Sequence, residues 1–338
     1  MSAADAAHGA FSTLFSNIFI KLPTPNTDLR GQTFIVTGSN TGLGFEAARH
    51  LNNLGTEKLI MAVRNVTKGE TARAEILGST GRKEDSIEVW SLDMASYESV
   101  KEFAARVTRT LPRVDGVLAN AGIMVDKFTM FEDNESTLTV NVINTFLLLL
   151  LLVPKLRESG TKFNIAPRFT TVNSALHYMA PVKGLDSDDS EIFARLNDPK
   201  TADMGARYNL SKLLVIYAVR ELAERLNASS TASSTIIINS PNPSYCKSNL
   251  AQGTEVGRSS AGKMFEKLLA RSTEEGSRAL VHGVISGTES NGQYLTNCHV
   301  QVPACLVTDS RGVRIQKKFA DELVAKLERI SPEISSYV

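Results

Sequence analysis

The chain has 338 residues, 42% of them apolar, which is enough to fill the core of one generous α/β domain. Its 37 basic and 36 acidic residues nearly cancel and form no long block of either sign, so the electrostatic footprint of a nucleic-acid binder is excluded. Cys246, Cys298 and Cys305 lack C-x-x-C spacing and the five histidines lack metal-ligand spacing, so neither a disulfide framework nor a metal site is expected.

The first predicted element lies ahead of Pro23 and Pro25, where Phe11, Leu14, Phe15 and Ile18 recur at helical spacing. Packing of this stripe on the protein body is expected, with attachment to a membrane surface as the rival. No basic leader precedes an apolar stretch, and Asp5 with no arginine before Arg30 argues against a transit peptide, so a cytoplasmic location is expected. From Thr33 onward, β-branched runs alternate with helical stretches. Strands are predicted at Thr33 to Val36, Leu59 to Val63, Ile87 to Leu92, Gly116 to Ala119, Phe169 to Val172, Thr235 to Ile238 and Gln293 to Leu295. Helices are predicted at Glu46 to Leu54, Thr67 to Leu77, Tyr97 to Leu111, Asn134 to Leu156, Ala206 to Leu226 and Glu274 to Ser286. The pattern reads as a single doubly wound, Rossmann-type α/β domain with about seven parallel strands, over residues 31–300. Residues 1–30 form an N-terminal extension, and 301–338 a C-terminal helical extension with a charged helix from Arg311 to Ile330. The run Phe146 to Val153 is too short to span a bilayer, so there is no strong membrane signal. A helix apolar all round is expected to be buried, against the sheet and a partner subunit, which makes a homodimer the assembly to look for.

Thr37-Gly38-Ser39-Asn40-Thr41-Gly42-Leu43-Gly44 follows the strand Phe34-Ile35-Val36 and opens a helix at Phe45-Glu46-Ala47-Ala48. Glycines at a strand-to-helix turn let a pyrophosphate reach backbone N–H groups, and the helix's positive end favours the anion. The spacing is G-x-x-x-G-x-G, neither the G-x-G-x-x-G of ordinary dinucleotide folds nor a P-loop. About 20 residues on, where an NAD site places a carboxylate for the ribose 2′-hydroxyl, stands Arg64, followed by Lys68. A guanidinium fork suits a 2′-phosphate, so NADP(H) is the expected cofactor.

Tyr208 and Lys212 stand at i and i+4, on one helix face. A neighbouring cation stabilises phenolate, so such a tyrosine can shuttle a proton to or from an alcohol or carbonyl oxygen. The same spacing at Tyr97 and Lys101, at the start of an outer helix, marks how unspecific the pair is by itself.

Taken in order, Thr37-Gly38-x-x-x-Gly42-x-Gly44, Leu92-Asp93, Asn120-Ala121-Gly122, Val140-Asn141, Val172-Asn173-Ser174 and Tyr208-x-x-x-Lys212 resemble the motif series of the short-chain dehydrogenase/reductase family. The finer likeness, carried by Met61-Ala62-Val63-Arg64-Asn65 and Tyr208-Asn-Leu-Ser-Lys-Leu-Leu, is to the retinol-dehydrogenase-like branch, including fungal members of secondary-metabolite pathways. The resemblance implies that Tyr208 is the general acid in reduction and the base in oxidation, and that Lys212 lowers its pKa and binds the nicotinamide ribose. Ser174 then donates to the substrate oxygen, and Asn141 supports a proton relay through a local helix distortion. Asp93 contacts the adenine edge, Asn120, Ala121 and Gly122 close the cofactor floor, and Pro243 lies against the nicotinamide. One departure stands out: where the family has Pro-Gly, the sequence reads Asn242-Pro243-Ser244, which bears on the lid.

The expected function is NADP(H)-dependent interconversion of a ketone or aldehyde and an alcohol on a lipophilic small molecule. The alternatives are a repurposed dinucleotide-binding scaffold and a cofactor-bound isomerase or cyclase without net redox. Substrate contacts are expected from the loops His177 to Arg207, with Tyr178, Met179, Phe193 and Met204, and Ser244 to Arg271, with Tyr245, Leu250, Met264 and Phe265. Two glycine-rich stretches, Gln252 to Thr254 and Gly257 to Gly262, are expected to let the second loop close. His177 is read as structural, and Cys246 has nothing near it that marks a reactive thiolate.

Overall fold

Five residues rich in β-branched side chains, Thr33–Thr37, form β1, which is buried along its whole length. Its alternating side chains feed two cores: Ile35 packs on one side of the sheet, Phe34 and Val36 on the other. The computed structural model describes residues 3–187, 191–228, 235–247, 250, 254–255 and 259–338, and their side chains except at 3, 261–263 and 265. Within them β2 (Lys58–Val63), β3 (Ile87–Ser91), β4 (Gly116–Ala119), β7 (Arg168–Thr171), β8 (Ile237–Asn242) and β9 (Tyr294–Thr296) extend one sheet. β5 (Met130–Phe131) and β6 (Asn134–Glu135) make a separate small hairpin. The main sheet has the order β10-β9-β8-β7-β4-β1-β2-β3, parallel throughout except that β10 (His299–Val300) runs antiparallel to β9. The expectation of about seven parallel strands thus gains an eighth, antiparallel edge strand, too short to register in the sequence pattern.

Helices α2 (Gly42–Asn53), α3 (Val66–Thr80) and Thr273–Ile285 cover one face. The other carries α4 (Tyr97–Thr110), α5 (Ser136–Leu138), α6 (Asn144–Phe163), α7 (Ile192–Leu196) and α8 (Arg207–Asn227). α6 runs past its expected end at Leu156, because Pro154 is accommodated inside it and the stop comes from Asn164 in the left-handed conformation (φ 51°). The continuous stretch Ser136–Phe163 is long and apolar enough to cross a membrane, but 94% of its most apolar window is buried inside the protein. The helix Ser310–Ile330 lies on α8, where Gln316 Nε2 donates to Glu221 Oε1 at 2.8 Å.

β8 begins two residues later than expected and continues through Asn239-Ser240-Pro241-Asn242, a string that reads as a turn. The polar side chains are satisfied across the sheet: Thr170 Oγ1 donates to Asn239 Oδ1 at 2.8 Å, and Asn239 Nδ2 to Gly283 O at 2.8 Å.

α1 (Ala3–Phe19) forms as expected but packs by the opposite face. Asp5 and Ser16 are buried, and a Cβ on Gly9 would come within 2.8 Å of the Tyr178 side chain. Phe11, Leu14, Phe15, Ile18 and Phe19 are exposed, Phe11 by 68%. The expectation that this stripe packs on the body is therefore overturned. The polar side has partners to meet: Asn17 Nδ2 donates to Tyr245 O at 2.6 Å and Leu269 O at 2.7 Å, and Arg271 Nη2 donates to Ser16 O at 2.6 Å.

Candidate active site

The turn between β1 and α2 is built from glycine's special conformations. Gly38 and Gly42 have φ of 64° and 63°, the left-handed region. A Cβ on Gly44 would collide with Asn120 Nδ2 and lie 2.6 Å from Gly38 O, so the helix start must carry glycine to approach so closely. Thr41 occupies the N-cap of α2 in an extended conformation without a side-chain cap bond, and the Ser39 hydroxyl is fully buried with no protein partner. Unmet hydrogen-bonding capacity at this turn fits a pyrophosphate-bearing dinucleotide. Asn40 and Leu43 are half-buried beside it.

The switch in strand order, with β1 between β2 and β4, brings the loop after β4 against this turn. Asn120 Nδ2 donates to Thr37 O at 2.9 Å, and Ala121 N donates to Thr37 Oγ1 at 2.9 Å. A Cβ on Gly122 would sit 3.2 Å from Asn141 Oδ1, so loop and α5–α6 segment approach closely there. Arg64 and Lys68 are exposed just beyond β2, with Asn65 Oδ1 accepting from Lys68 N at 2.9 Å to cap α3. Half-buried Asp93 follows β3 and accepts from Ala95 N at 2.9 Å.

Tyr208 and Lys212 share one buried face of α8, with Lys212 Nζ 5.4 Å from the Tyr208 ring centroid and donating to Val172 O at 2.7 Å. Burial pushes the Tyr208 phenol above its ordinary value, while a hydrogen bond with the Ser174 side chain pulls it down. Burial lowers Lys212 to about 8. Desolvation dominates at both groups, and the Lys212 ammonium bonds a backbone carbonyl.

Ser174 caps the short 3-10 turn Ala175–Met179, its Oγ accepting from Leu176 N at 3.2 Å. Asn141 lies in a π-helical turn, Thr139–Ile143, so the expected local helix distortion is present. Its Oδ1 accepts from Ile123 N at 2.9 Å, and its Nδ2 donates to Ile123 O at 2.9 Å and Ser211 Oγ at 3.2 Å. Ser211 Oγ donates in turn to Tyr208 O at 2.7 Å, a link the sequence pattern did not single out. Tyr97 stands apart. Its hydroxyl donates to Asp133 Oδ1 at 2.5 Å, and burial with the neighbouring carboxylate raises its pKa.

Buried Pro243 precedes Ser244, which takes the left-handed conformation (φ 66°) where the family resemblance expects glycine. For an L-residue this costs about 1–2 kcal/mol. Ser244 N donating to Asn242 Oδ1 at 2.9 Å and Ser244 Oγ donating to Asn17 Oδ1 at 2.6 Å offset it. The lid backbone therefore turns as a glycine would turn it, with help from α1.

Several expected substrate contacts serve the core instead. Tyr178 donates to Val302 O at 2.6 Å, and Phe193 packs on Phe319 with ring centroids 5.8 Å apart. Met179, Met204 and Tyr245 are half-buried, while Leu250 and Met264 are exposed. Gln252, Gly253, Gly257 and Arg258 lie outside the described residues, as do the side chains of Ala261, Gly262 and Phe265.

His177 is fully buried: its Nδ1 donates to Ser174 O at 2.8 Å and its Nε2 accepts from Ala304 N at 3.2 Å. Burial lowers its pKa to about 4, against roughly 6.5 in the unfolded chain. Between those values the unfolded state binds the extra proton, so stability falls as pH drops from 6.5 toward 4. The loss at the acid end is on the order of 3 kcal/mol. Chemical denaturation should find the stability gap between wild type and His177→Gln narrowing from pH 7 to pH 5; a constant gap would refute the assignment.

These groups converge at the carboxyl ends of β1, β4 and β7, where a doubly wound sheet binds its ligands. A family model described as short chain dehydrogenase matches residues 32–179. The short chain dehydrogenase/reductase dmxR8 of Cryptosporiopsis sp. is 43% identical over 96% of this chain and 98% of its own length. The short-chain dehydrogenase anuD of Penicillium roqueforti is 41% identical over 97% and 86%. Among solved structures, a short chain dehydrogenase of Escherichia coli CFT073 complexed with NADPH superposes with a TM-score of 0.60 at 22% identity, covering 81% of this chain and 99% of that one. With this sheet order, this glycine turn and full-length fungal relatives at such identity, the chain belongs to the short-chain dehydrogenase/reductase family.

Proposed function

We propose that the protein is an NADP(H)-dependent oxidoreductase that interconverts a ketone or aldehyde and an alcohol on a lipophilic small molecule. The observation that carries this reading is the buried Tyr208 phenol with Ser174 bonded to it and Lys212 one turn along, beside a glycine turn with unmet hydrogen-bonding groups. NADPH, when bound, supplies the hydride that adds to the carbonyl carbon. Ser174 holds the substrate oxygen, and Tyr208 delivers its phenolic proton to that oxygen as the new C–H bond forms. In the reverse direction Tyr208 takes the proton back. Lys212 stabilises the phenolate left behind and binds the nicotinamide ribose. Asn141 and Ser211 tie the start of α8 to the loop at Ile123, from which the proton relay is served. Gly38, Asn40, Thr41, Gly42, Leu43 and Gly44 take the pyrophosphate side, Asp93 the adenine edge, and Asn120 to Gly122 with Pro243 the floor and nicotinamide flank.

The NADPH-bound relative and the two exposed cations beyond β2 support the phosphorylated cofactor. Titration should give at least about tenfold tighter binding of NADPH than NADH, equivalent to roughly 1.4 kcal/mol from Arg64 and Lys68. Equal affinities would count against it. The reaction itself is tested by single-turnover oxidation of NADPH with a series of apolar ketones. No oxidation with any of them, despite tight NADPH binding, favours a scaffold that keeps the fold without the chemistry.

A further inference from the structure

α1 is amphipathic the wrong way round for a helix of a soluble body. Its polar side is buried and bonded, while Phe11, Leu14, Phe15, Ile18 and Phe19 face outward over about a third of its circumference. Asp5 is the one Asp, Glu, Lys or Arg in the helix and is buried on the inner side, while His8 is exposed. Asn17 also fastens α1 to the end of the helix Ser260–Leu269, through Leu269 O. That neighbour turns Met264 and Leu268, four residues apart on one face, outward at 63% and 72% exposure. A patch of this make-up exceeds the scattered apolar residues of ordinary surfaces. Among the described residues its margin carries more positive than negative charge: Lys21 directly after α1, Lys247, and Lys267 beside Leu268 are exposed, against exposed Glu255 and half-buried Glu266.

We infer that α1 and the helix Ser260–Leu269 form a docking surface for an anionic lipid bilayer, with the aromatic stripe in the acyl boundary and the lysines at the headgroups. Charge decides between occupants. A symmetric pairing of two copies through this patch brings the same net positive margin to both sides of the seam, whereas acidic headgroups complement it. The inner side of α1 holds Ser244 and Tyr245 and packs on Tyr178, so docking brings the loops after β7 and β8 to the bilayer. A lipophilic substrate would then pass from membrane to site without crossing bulk water.

The test is co-sedimentation of the full chain with vesicles of phosphatidylcholine, alone or mixed with phosphatidylserine. Binding to the mixed vesicles is expected, weakening with added salt. Phe11→Ser/Phe15→Ser/Phe19→Ser should lower the partition coefficient at least about tenfold. Lys21→Glu/Lys267→Glu should reduce it toward the value for neutral vesicles and abolish the salt response. Both variants should retain the circular dichroism spectrum and NADPH affinity of the wild type. The inference is overturned if wild type stays in the supernatant with both vesicle types, or if both variants bind as wild type does. It is equally overturned if sedimentation velocity finds a stripe-dependent dimer that does not bind vesicles.

Discussion

Tyr208→Phe is expected to lower turnover by about three orders of magnitude while leaving NADPH affinity within about twofold of wild type, in line with the usual contribution of a positioned proton donor. The phenol is a buried titratable group that the Ser174 side chain reaches, and Phe keeps the buried ring while removing only the hydroxyl. The substitution therefore removes one proton and one hydrogen bond but no packing. Stopped-flow oxidation of NADPH and fluorescence titration of the cofactor would separate the two quantities. Turnover at the wild-type rate would remove Tyr208 from the chemistry. Tyr97→Phe is the internal control, since it loses a bond to Asp133 and should cost about 1 kcal/mol of stability without altering the rate.

Arg207→Ala is expected to destabilise the fold by about 3–5 kcal/mol, the range for one half of a buried ion pair. Arg207 and Glu135 are 2% and 0% exposed, with Nε and Oε2 3.4 Å apart. Glu135 also accepts from Thr137 N at 2.8 Å and Leu138 N at 3.3 Å, so it fixes the segment leading into the π turn of Asn141. Arg207 Nη2 donates to Leu196 O at 2.8 Å, tying the residue before Tyr208 to α7. Removing the guanidinium leaves a carboxylate in a dry site with no cation. Glu135→Gln/Arg207→Met, which removes both charges, should recover part of the loss. Chemical denaturation decides the matter, and an Arg207→Ala midpoint equal to wild type would contradict it.

The glycine turn and the Tyr208–Lys212 face were legible because each depends on local spacing: a turn needs its glycines in sequence, and a helix brings i and i+4 together. The distortion at Asn141 was readable only through the family likeness. The Glu135–Arg207 pair was not readable, since two residues so far apart become partners only when α5 and α8 dock. Ser39 was in plain view inside the octet, yet its lack of a partner is a property of burial. Helical periodicity also located the stripe on α1 without saying which side meets the body. Asn17, Ser244 and Arg271 settle that, through bonds spanning more than two hundred residues. At β8 the polar string Asn239-Ser240-Pro241 hid a central strand, because its partners lie on neighbouring strands and helices.

The cover that Ser310–Ile330 lays over α8 has a consequence for the order of synthesis. Tyr217 donates to Leu306 O at 2.7 Å, Gln316 to Glu221, and Arg225 to Asp321, joining α8 to chain made later. β9, beside β8 in the sheet, is also late. The glycine turn can be shaped while translation continues, whereas the helix bearing Tyr208 stays bare along its back until Ser310–Ile330 has emerged. A nascent chain thus acquires its glycine turn before the back of α8 is covered, and the interval between them is when its apolar surface is most open to chaperones.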